Sequence, residues 1–494
     1  MSQNRLRIIT AGIMLSIFLA SVEGTIIATA MPTIVGQLGG LSIYSWAFAV
    51  FMLASTTTVP IYGKLSDIYG RKQVYIISMI LFLTGSVLCG LASSMEQLIA
   101  FRAVQGLGAG GVLPLAFTII GELFDLEQRA RMQGLFSGVW GVSSVIGPLI
   151  GGFLVDQISW QWVFFINIIP GGLAVAFVWF AWQNTGRGRA VRLSVDYAGA
   201  VLLTISALVL LLGLELLETP LGWVLVLAAV LLFVWLILLE RKAEDPILPL
   251  DLFRSRLFSV SILHGILAGF AMFGSLTYVP LFVQTVLGTS ATQAGITLTP
   301  MSLSWTMASI IGSRLLLKVG YRSLSTFGMV LLTIGAFLMT RIGVNSNQIL
   351  IMFYLSLMGI GMGLSIPAFL IAVQTAVRKE SMGSATSTVQ FSRSIGGTFG
   401  VSVLGVYLSA RLASGLVNLG LDPSQISLDN LTAAAESTGG ALVESIKGAL
   451  AFSIADMFFI SFIVSLAALG VTMLAPGGTI SQLRSERPVD QPEA

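Results

Sequence analysis

The sequence predicts an all-α protein that crosses a membrane many times, and three observations support this fold class. Hydrophobic residues make up 55% of the 494 residues, charged residues make up only 10%, and the mean hydropathy is +0.91. A soluble domain has about 25% charged residues. About fourteen apolar segments reach the roughly 20 residues that cross about 30 Å of hydrocarbon. Because no water satisfies backbone groups at that depth, these segments must be helices.

The predicted spans follow one another with mostly short polar segments between them. The first, residues 8–31, lacks a convincing small-residue cleavage site, so we expect it to be a retained span rather than a signal peptide. The other thirteen are expected at residues 44–63, 74–92, 97–121, 133–155, 162–182, 197–217, 221–240, 257–283, 294–316, 323–341, 348–374, 382–410 and 447–475.

Basic residues lie mostly in the loops on one side of the predicted membrane. With the N-terminus in the cytoplasm, the cytoplasmic segments hold 21 of the 26 Lys and Arg residues, and only Arg341, Arg411 and Lys447 lie at the outer ends. An excess of Lys and Arg in short loops marks the cytoplasmic side. Both termini are therefore predicted to be cytoplasmic, which requires an even number of spans. The compact loops and short tail are typical of a protein of the bacterial inner membrane.

The chain contains an internal repeat with an offset of 253 residues. Four residues of the fourth span recur in the twelfth: Gly106, Gly108, Gly110 and Pro114 correspond to Gly359, Gly361, Gly363 and Pro367. The same offset relates Gly147 to Gly400 and Glu127 to Glu380. Spans one to six then correspond to spans nine to fourteen, and spans seven and eight are an inserted pair. Two related halves around a central cavity are an architecture of secondary transporters.

This repeat divides the chain into four parts. Residues 1–192 are predicted to form the first six-helix half, and residues 193–245 the inserted helix pair. Residues 246–480 form the second half, which includes an outer loop at 411–446 made of short amphipathic pieces. The tail, residues 481–494, is polar and contains two prolines, so we expect it to be disordered.

A charged loop bounded by glycines lies between the second and third spans. It carries Gly63, Asp67, Gly70, Arg71 and Lys72 between two long apolar runs. Such a loop shows where the chain bends and meets water. We predict that these residues form a gating loop that works as a hinge or latch at the cytoplasmic side.

Glu23 is the acidic residue with the clearest functional indication. It lies midway along the first span, where an ionised carboxylate costs about 2.5–3.5 kcal/mol on insertion scales. Such a residue usually faces a wet cavity or a charge partner, which makes Glu23 a candidate proton carrier or cation anchor. The other interpretation is a structural ion pair with Arg102, and the two are compatible. Because arginine does not release its proton, Arg102 is expected to tune the carboxylate or hold Gln105.

Several other residues within spans are candidates for the lining of a central cavity. Gln390 and Arg393 occupy the second half, where Arg393 could contact an anionic group or a helix end. His264, the only histidine, could relay protons, although a hydrogen-bonded structural role is the simpler interpretation. The aromatic candidates are Trp140, Tyr278, Trp305 and Tyr354. In so apolar a protein, most such side chains pack against lipid or other helices.

The fifth span is rich in residues that weaken helices. It contains Gly138, Gly147, Pro148, Gly151 and Gly152. One interpretation is close packing with a neighbouring helix. The other is a pliable hinge whose bending opens or seals one end of a pathway, and both can hold together.

The sequence argues against an enzyme and against a resident cofactor. Cys89 is the only cysteine, so neither an intrachain disulfide nor a cysteine metal site is expected. Gly106-x-Gly108-x-x-Gly111 matches the dinucleotide-binding pattern, but that motif requires a preceding strand. Inside a membrane helix, these glycines predict instead a smooth face for close helix packing.

Taken together, these residues resemble the major facilitator superfamily. The loop from Gly63 to Lys72 is similar to its signature between the second and third helices, whose aspartate, here Asp67, helps to latch the cytoplasmic side shut. Arg102-x-x-Gln105-Gly106-x-Gly108 is similar to its fourth-helix motif linked with proton coupling. The run from Gly138 to Gly152 looks like the fifth-helix motif of antiporters. The resemblance implies a major facilitator fold with two pseudo-symmetric six-helix halves.

Three further features resemble the fourteen-helix drug:proton antiporter family. They are Glu23-Gly24-Thr25-Ile26 through Met31-Pro32, Asp196-Tyr197, and Asp245-Pro246-Ile247-Leu248-Pro249 before Leu252-Phe253-Arg254. The resemblance implies two additional central helices, and thus 14 transmembrane helices. Two departures stand out. The family usually has aspartate at the position of Glu23, and the second-half loop around Ser313 to Arg322 lacks the central acid, which predicts an asymmetric latch.

The function implied is proton-coupled export of amphipathic compounds by alternating access, and we expect these compounds to be cationic. The alternatives left open are a dedicated proton-driven exporter of one natural metabolite, such as a siderophore, lipid or amino acid, and a non-transporting membrane scaffold or sensor. The expected partners are protons, a small amphipathic substrate and the lipid bilayer. Neither a nucleic acid nor a metal is expected, and we expect a monomer.

Overall fold

The computed structural model is helical throughout the part of the chain that it describes, which comprises residues 3–39, 43, 46–182, 196–217, 219–243, 246, 248, 250–289, 291–421 and 440–485. The helices are α1 (Gln3–Leu38), α2 (Trp46–Tyr69), α3 (Arg71–Gly90), α4 (Met95–Leu123), α5 (Leu126–Gln157), α6 (Trp162–Phe165), α7 (Ile168–Ala181), α8 (Tyr197–Glu215), α9 (Pro220–Glu240), α10 (Arg256–Thr285), α11 (Ala291–Val319), α12 (Tyr321–Met339), α13 (Gln348–Ala376), α14 (Met382–Asn418), α15 (Gly440–Met473) and α16 (Ile480–Ser485). Short 3₁₀ helices precede α10 and α14 at Leu250–Arg254 and Lys379–Ser381.

Eleven helical stretches of the described residues are long and apolar enough to cross a membrane. A twelfth stretch, Ala198–Leu214, is apolar but shorter. Each predicted span overlaps a helix, and this confirms the all-α membrane class. The count of fourteen membrane crossings and the cytoplasmic position of both termini stay predictions.

The sixth predicted span is one apolar stretch, Trp162–Ala181, with a tightened turn near its beginning. The short helix α6 ends at Phe165, α7 begins at Ile168, and Asn167 lies at the junction between them with helical dihedral angles. The backbone N–H of Asn167 donates to the carbonyl of Phe164, and that of Gly171 donates to the carbonyl of Asn167. The Asn167 side chain lies in the interior and is buried.

Two predictions for the C-terminal part of the chain need correction. The outer loop predicted at 411–446 is shorter, because α14 continues to Asn418 and α15 begins at Gly440, while residues 422–439 lie outside the described residues. Disorder was wrong for the start of the tail, because Ile480–Ser485 is helical. Ile480 is buried and Leu483, three residues later on the same helical face, packs on the core. Residues 486–494 lie outside the described residues.

The helices repeat their packing in the two halves. In the first half α4 packs against α3 and α2, and in the second half α13 packs in the same way against α12 and α11. Both α4 and α13 have 29 residues, and they begin at Met95 and Gln348, 253 residues apart. The turns before α3 and α12 also match, because Gly70 and Gly320 both have a positive φ, 91° and 88°. The two halves are therefore structurally equivalent in these elements.

Glycines explain how these helices approach one another closely. A Cβ added to Gly108 of α4 would lie 2.6 Å from the Cα of Phe82 on α3. In the second half, a Cβ on Gly361 would lie 2.6 Å from the Cβ of Leu332 on α12. Real side chains do not fit at such distances. These contacts confirm the interpretation of the glycine run as a packing face.

The two main helix pairs that join the halves are α2 with α14 and α5 with α11, and smaller contacts join α4 with α14 and α5 with α13. In the second pair, the Thr306 hydroxyl donates to the carbonyl of Ser137 at 2.9 Å, and the Ser137 hydroxyl donates to Ser309 Oγ at 2.7 Å. The inserted helices α8 and α9 pack against each other, and α8 also contacts α2 and α14. The inserted pair therefore lies beside the junction of α2 and α14.

Candidate functional site

A buried polar network lies inside the first half, and we call it the Glu23 cluster. Its members come from the three helices α1, α3 and α4 and from the junction between α6 and α7: Glu23, Ser86, Cys89, Arg102, Gln105 and Asn167. Each of them is at most 2% exposed. A polar group this deeply buried is costly unless it is hydrogen-bonded, so the partners of each atom decide what the cluster does.

Arg102 is the centre of the Glu23 cluster. Its Nη1 contacts Glu23 Oε1 and donates to Gln105 Oε1 at 2.8 Å. Arg102 and Gln105 are three residues apart on α4, so both side chains lie on one helix face. The Nε of Arg102 donates to the carbonyl of Ala47 at 3.1 Å, and the guanidinium lies 4.0 Å from the ring centre of Phe51. The arginine is therefore held by a charge, two oxygens and an aromatic face.

The second oxygen of Glu23 has its own partner. Asn167 Nδ2 donates to Glu23 Oε2 at 2.9 Å and to Ser86 Oγ at 2.9 Å. Gln105 Nε2 donates to the same Ser86 Oγ at 3.3 Å. Both carboxylate oxygens of Glu23 thus face donors, which is the arrangement that a buried ionised carboxylate requires. The ion pair with Arg102, one of the two interpretations of the sequence, is formed in this state.

The Glu23 cluster has no counterpart in α13. At the positions of Arg102 and Gln105, shifted by 253 residues, α13 carries Leu355 and Met358, and both are fully buried. The repeat therefore preserves the helix packing but not the polar chemistry.

A second polar arrangement, the latch, joins α2 to the beginning of α14. Asp67 Oδ1 accepts from the backbone N–H of Gly383 at 3.0 Å. Asp67 Oδ2 accepts from the backbone N–H and the hydroxyl of Ser384 at 2.8 Å and 2.7 Å. The carboxylate thus binds the free N–H groups in the first turn of α14, where the helix dipole favours negative charge.

Arg71, the first residue of α3, completes the latch; the loop predicted from Gly63 to Lys72 is a tight turn at Gly70, because α2 continues to Tyr69. Arg71 Nη2 lies 2.6 Å from Asp67 Oδ1 and donates to the carbonyl of Lys379 at 2.6 Å. Its Nε lies 3.0 Å from Glu122 Oε2 at the end of α4. Arg71 and Asp67 are both nearly buried. One arginine therefore connects two acids of the first half to the backbone just before α14.

Two glycines allow α2 and α14 to touch at the latch. A Cβ on Gly63 would lie 2.6 Å from the Cβ of Ser387 and 2.8 Å from the carbonyl oxygen of Gly383. A Cβ on Gly383 would in turn lie 2.7 Å from Asp67 Oδ1. Because no side chain fits between the two helices, glycine at both positions permits their contact.

Lys72 differs from the other gating-loop candidates in its contacts. Its Nζ donates to the carbonyl of Trp182 at 2.6 Å, just after α7, and lies 5.4 Å from the ring centre of Trp179. A cation at this position stabilises the C-terminal end of α7. These contacts of Lys72 lie within the first half. Gly70 supplies the positive φ of the turn between α2 and α3.

The cavity candidates of the second half are dispersed. His264 is buried; its Nδ1 lies 3.0 Å from Thr472 Oγ1 and its ring lies 4.7 Å from that of Phe369, which matches the structural interpretation. The Tyr278 hydroxyl donates to the carbonyl of Val401. Trp305 and Tyr354 are partly buried and pack on the second-half core. Gln390 is buried, whereas Arg393 is half-buried.

The fifth-helix candidates differ in their surroundings. A Cβ on Gly138 or Gly152 would meet no atom within 4 Å, whereas one on Gly141 would lie 2.7 Å from Thr306 Oγ1. Gly147 and Gly151 are buried, and Pro148 lies within α5 without ending it. Trp140, on the same helix, is 46% exposed. Packing thus accounts for Gly141, and the hinge role of the other positions stays a prediction.

Asp67→Asn is expected to weaken the closed latch, because the amide loses the charge that binds Arg71 and the N-terminus of α14. Hydrogen bonds to charged groups contribute about 1.5–3 kcal/mol, so the ratio of closed to open molecules should fall roughly ten- to hundredfold. Spin labels at exposed positions 69 and 380, in a Cys89→Ala background, measure this opening as a longer distance. Asp251→Asn, whose carboxylate is 91% exposed, is the matched control. An unchanged distance distribution in Asp67→Asn would contradict the latch.

The sequence profile of the Major Facilitator Superfamily matches residues 13–401. The chain belongs to this superfamily. Its membership agrees with the helical repeat and with the latch loop, whose residues were the basis of the resemblance noted in the sequence. As a superfamily member with at least eleven apolar helices among its described residues, the protein is an integral, multi-pass membrane protein.

Curated relatives within the superfamily extend over most of the chain. The chain is 41% identical over 441 residues to the multidrug transporter protein MdtP of Bacillus subtilis (strain 168), covering 88% of this chain and 80% of that protein. It is 37% identical over 405 residues to multidrug resistance protein 3 of the same organism, covering 81% and 79%. It is 30% identical over 395 residues to the efflux pump dotC of Dothistroma septosporum, covering 78% and 68%.

Solved structures of other superfamily transporters share the fold. The proton:xylose symporter XylE superposes with a TM-score of 0.65 at 13% identity, covering 98% of this chain and 99% of that chain. The human organic anion transporter MFSD10 (TETRAN) gives a TM-score of 0.63 at 13% identity, covering 93% and 99%. At this identity, the similarity shows the fold alone.

Proposed function

We propose that this superfamily member is a proton-coupled secondary transporter that exports amphipathic, cationic compounds by alternating access. The observation that carries the proposal is Glu23, a carboxylate midway along α1 that is 1% exposed and paired with Arg102. Acids within membrane spans mark ion pathways and proton relays. Two curated relatives, multidrug transporter protein MdtP and multidrug resistance protein 3, support the export of drugs.

Coupling would follow from competition at one carboxylate. A protonated Glu23 has no charge with which to hold Arg102 or a substrate cation, whereas the ionised form attracts both. Proton binding would therefore release a cation, and proton release would favour its capture. Arg102 stays charged throughout and sets how strongly Glu23 holds its proton.

The latch would provide the alternation between two states. Asp67 and Arg71 hold α2 to the start of α14 at the end of the bundle that we predict to be cytoplasmic. In this state that end is closed, and the opposite, outer end would release substrate. Opening of the latch would expose the pathway to the cytoplasm. Gly147 and Pro148 of α5 would let this helix bend when the latch opens.

The proposal includes a location and partners for the protein, and it leaves one alternative function. We place the protein as a monomer in the bacterial inner membrane, with protons and small amphipathic compounds as its partners. The relatives from Bacillus subtilis support this location. The alternative is an exporter dedicated to one natural metabolite.

Ethidium efflux from cells that express the chain tests the proposal. We expect efflux above that of cells without the protein, and we expect a protonophore to stop it because the driving force is the proton gradient. Competition by chemically unrelated cations would support a broad substrate range, whereas efflux of a single metabolite class would favour the dedicated exporter. Purified protein that moves no proton in liposomes when candidate cations are added would overturn proton coupling.

A further inference from the structure

Asn167 was not singled out by the sequence, yet among the described residues it is the only one besides Arg102 that donates a hydrogen bond to the Glu23 carboxylate. It lies at the junction between α6 and α7 and is 1% exposed. Its amide therefore belongs to the Glu23 cluster.

The hydrogen bonds around Ser86 determine which way the Asn167 amide faces. The Ser86 hydroxyl donates to the carbonyl of Phe164 at 2.9 Å, and its oxygen accepts from both Gln105 Nε2 and Asn167 Nδ2. A serine hydroxyl has one donor and two acceptor sites, so all of its capacity is used. Asn167 can therefore only donate to Ser86, and its other N–H must point at Glu23 Oε2.

This geometry favours the ionised form of Glu23. Asn167 donates to Oε2 and Arg102 contacts Oε1, and both contacts are stronger to a charged carboxylate than to a neutral acid. The other titratable group facing the pair is the Cys89 thiol on α3. The helices α6 and α7 carry no charged residue, and the charges of α5 lie near its two ends. Withdrawal of either donor would leave the charged carboxylate less stabilised and would favour proton uptake, and of the two donors only Asn167 is uncharged.

We propose that Asn167 is a positioning residue that sets the pH at which Glu23 binds its proton, and that proton uptake follows movement of this amide away from Oε2. The step is a proton transfer without other chemistry. When the Asn167 N–H withdraws, a proton from the aqueous phase adds to a lone pair of Glu23 Oε2, and the carboxylate becomes a neutral acid. Arg102 keeps its charge. The inference rests on the proposed role of Glu23 as the proton carrier.

Infrared titration of purified protein tests this inference without measuring transport. A protonated carboxyl gives a C=O band, and the part of that band lost in Glu23→Gln belongs to Glu23. Asn167→Leu removes the donor, so the midpoint of this band should move to higher pH by about one to two units. Asn167→Gln keeps an amide and should restore part of the shift. An Asn167→Leu midpoint equal to that of the natural protein would overturn the inference.

Two further variants keep the inference testable if Asn167→Leu does not fold. Ser86→Ala removes the group that orients the amide but leaves Asn167 itself, so we expect a smaller shift in the same direction. Ser78→Ala changes another buried serine of α3, which lies outside the Glu23 cluster and donates to the carbonyl of Tyr75 at 2.8 Å, and should leave the midpoint in place. Equal midpoints in Ser86→Ala and Ser78→Ala would count against the role of Asn167.

The pH profile of efflux separates this inference from the proposed function. If efflux is proton-driven, its pH profile should move with the infrared midpoint in Asn167→Leu and Ser86→Ala. A shifted midpoint without any proton-driven efflux would support the positioning role of Asn167 and refute the transport proposal. A shifted efflux profile with an unshifted midpoint would refute the positioning role alone.

Discussion

Glu23→Gln is expected to reduce proton-driven efflux to the level of cells without the protein. Glutamine cannot carry a proton, so binding of the cation and binding of the proton no longer compete. The change also leaves Arg102 buried without its counter-charge, and breaking a buried pair in this way costs about 3–5 kcal/mol. Ethidium efflux with and without a protonophore measures the first effect, and the melting temperature of purified protein measures the second.

Two control variants separate loss of coupling from loss of stability. Glu96→Gln changes an exposed acid at the start of α4 and should preserve both efflux and melting temperature. The double variant Glu23→Gln/Arg102→Leu removes both charges and should regain stability without regaining efflux. Full protonophore-sensitive efflux in Glu23→Gln would refute Glu23 as the coupling residue.

Gly63→Val is expected to have the second largest effect, because the latch cannot close around a side chain at this position. Even the first atom of the side chain would lie 2.6 Å from the Cβ of Ser387 and 2.8 Å from the backbone of Gly383. The helices α2 and α14 would have to separate, and Asp67 would lose its contacts with the first turn of α14. We expect efflux to fall at least as far as in Asp67→Asn.

A matched glycine and a compensating change make the test of Gly63 specific. Gly295→Val places the same side chain on a helical glycine with no atom within 4 Å of its Cβ, and should leave efflux and the distance between labels at 69 and 380 unchanged. Gly63→Ala with Ser387→Gly relieves one of the two steric conflicts and should recover part of the efflux lost in Gly63→Ala alone. Efflux of Gly63→Val at the natural rate would show that the two helices need not touch.

The contrast between Arg102 and Asn167 shows which site residues a sequence can indicate. Charged residues within membrane spans are rare because of their cost, so Glu23 and Arg102 stand out from composition alone. An asparagine near the end of an apolar segment carries no such cost, and its importance depends on which side chains of α1 and α3 it meets. The sequence predicted the span but not these partners.

The latch shows a second kind of information that no local pattern contains. Asp67 and Arg71 were predicted as gating residues from the loop, but their partners Gly383 and Ser384 lie more than 300 residues further along the chain. Nothing in the sequence around Gly383 and Ser384 indicates that their backbone N–H groups donate to a carboxylate. Lys72, predicted from the same loop, instead binds the end of α7 within the first half.

The sequence by itself determined that this is an all-helical membrane protein with two related halves and a rare acid–arginine pair. Those features arise from hydropathy, helix period and the cost of charge in lipid, which act on each segment separately. Only the tertiary structure decided that Arg102 binds Glu23, that Asn167 faces its second oxygen, and that Asp67 binds α14. These contacts depend on how helices far apart in sequence cross, and close packing of glycine faces sets those crossings.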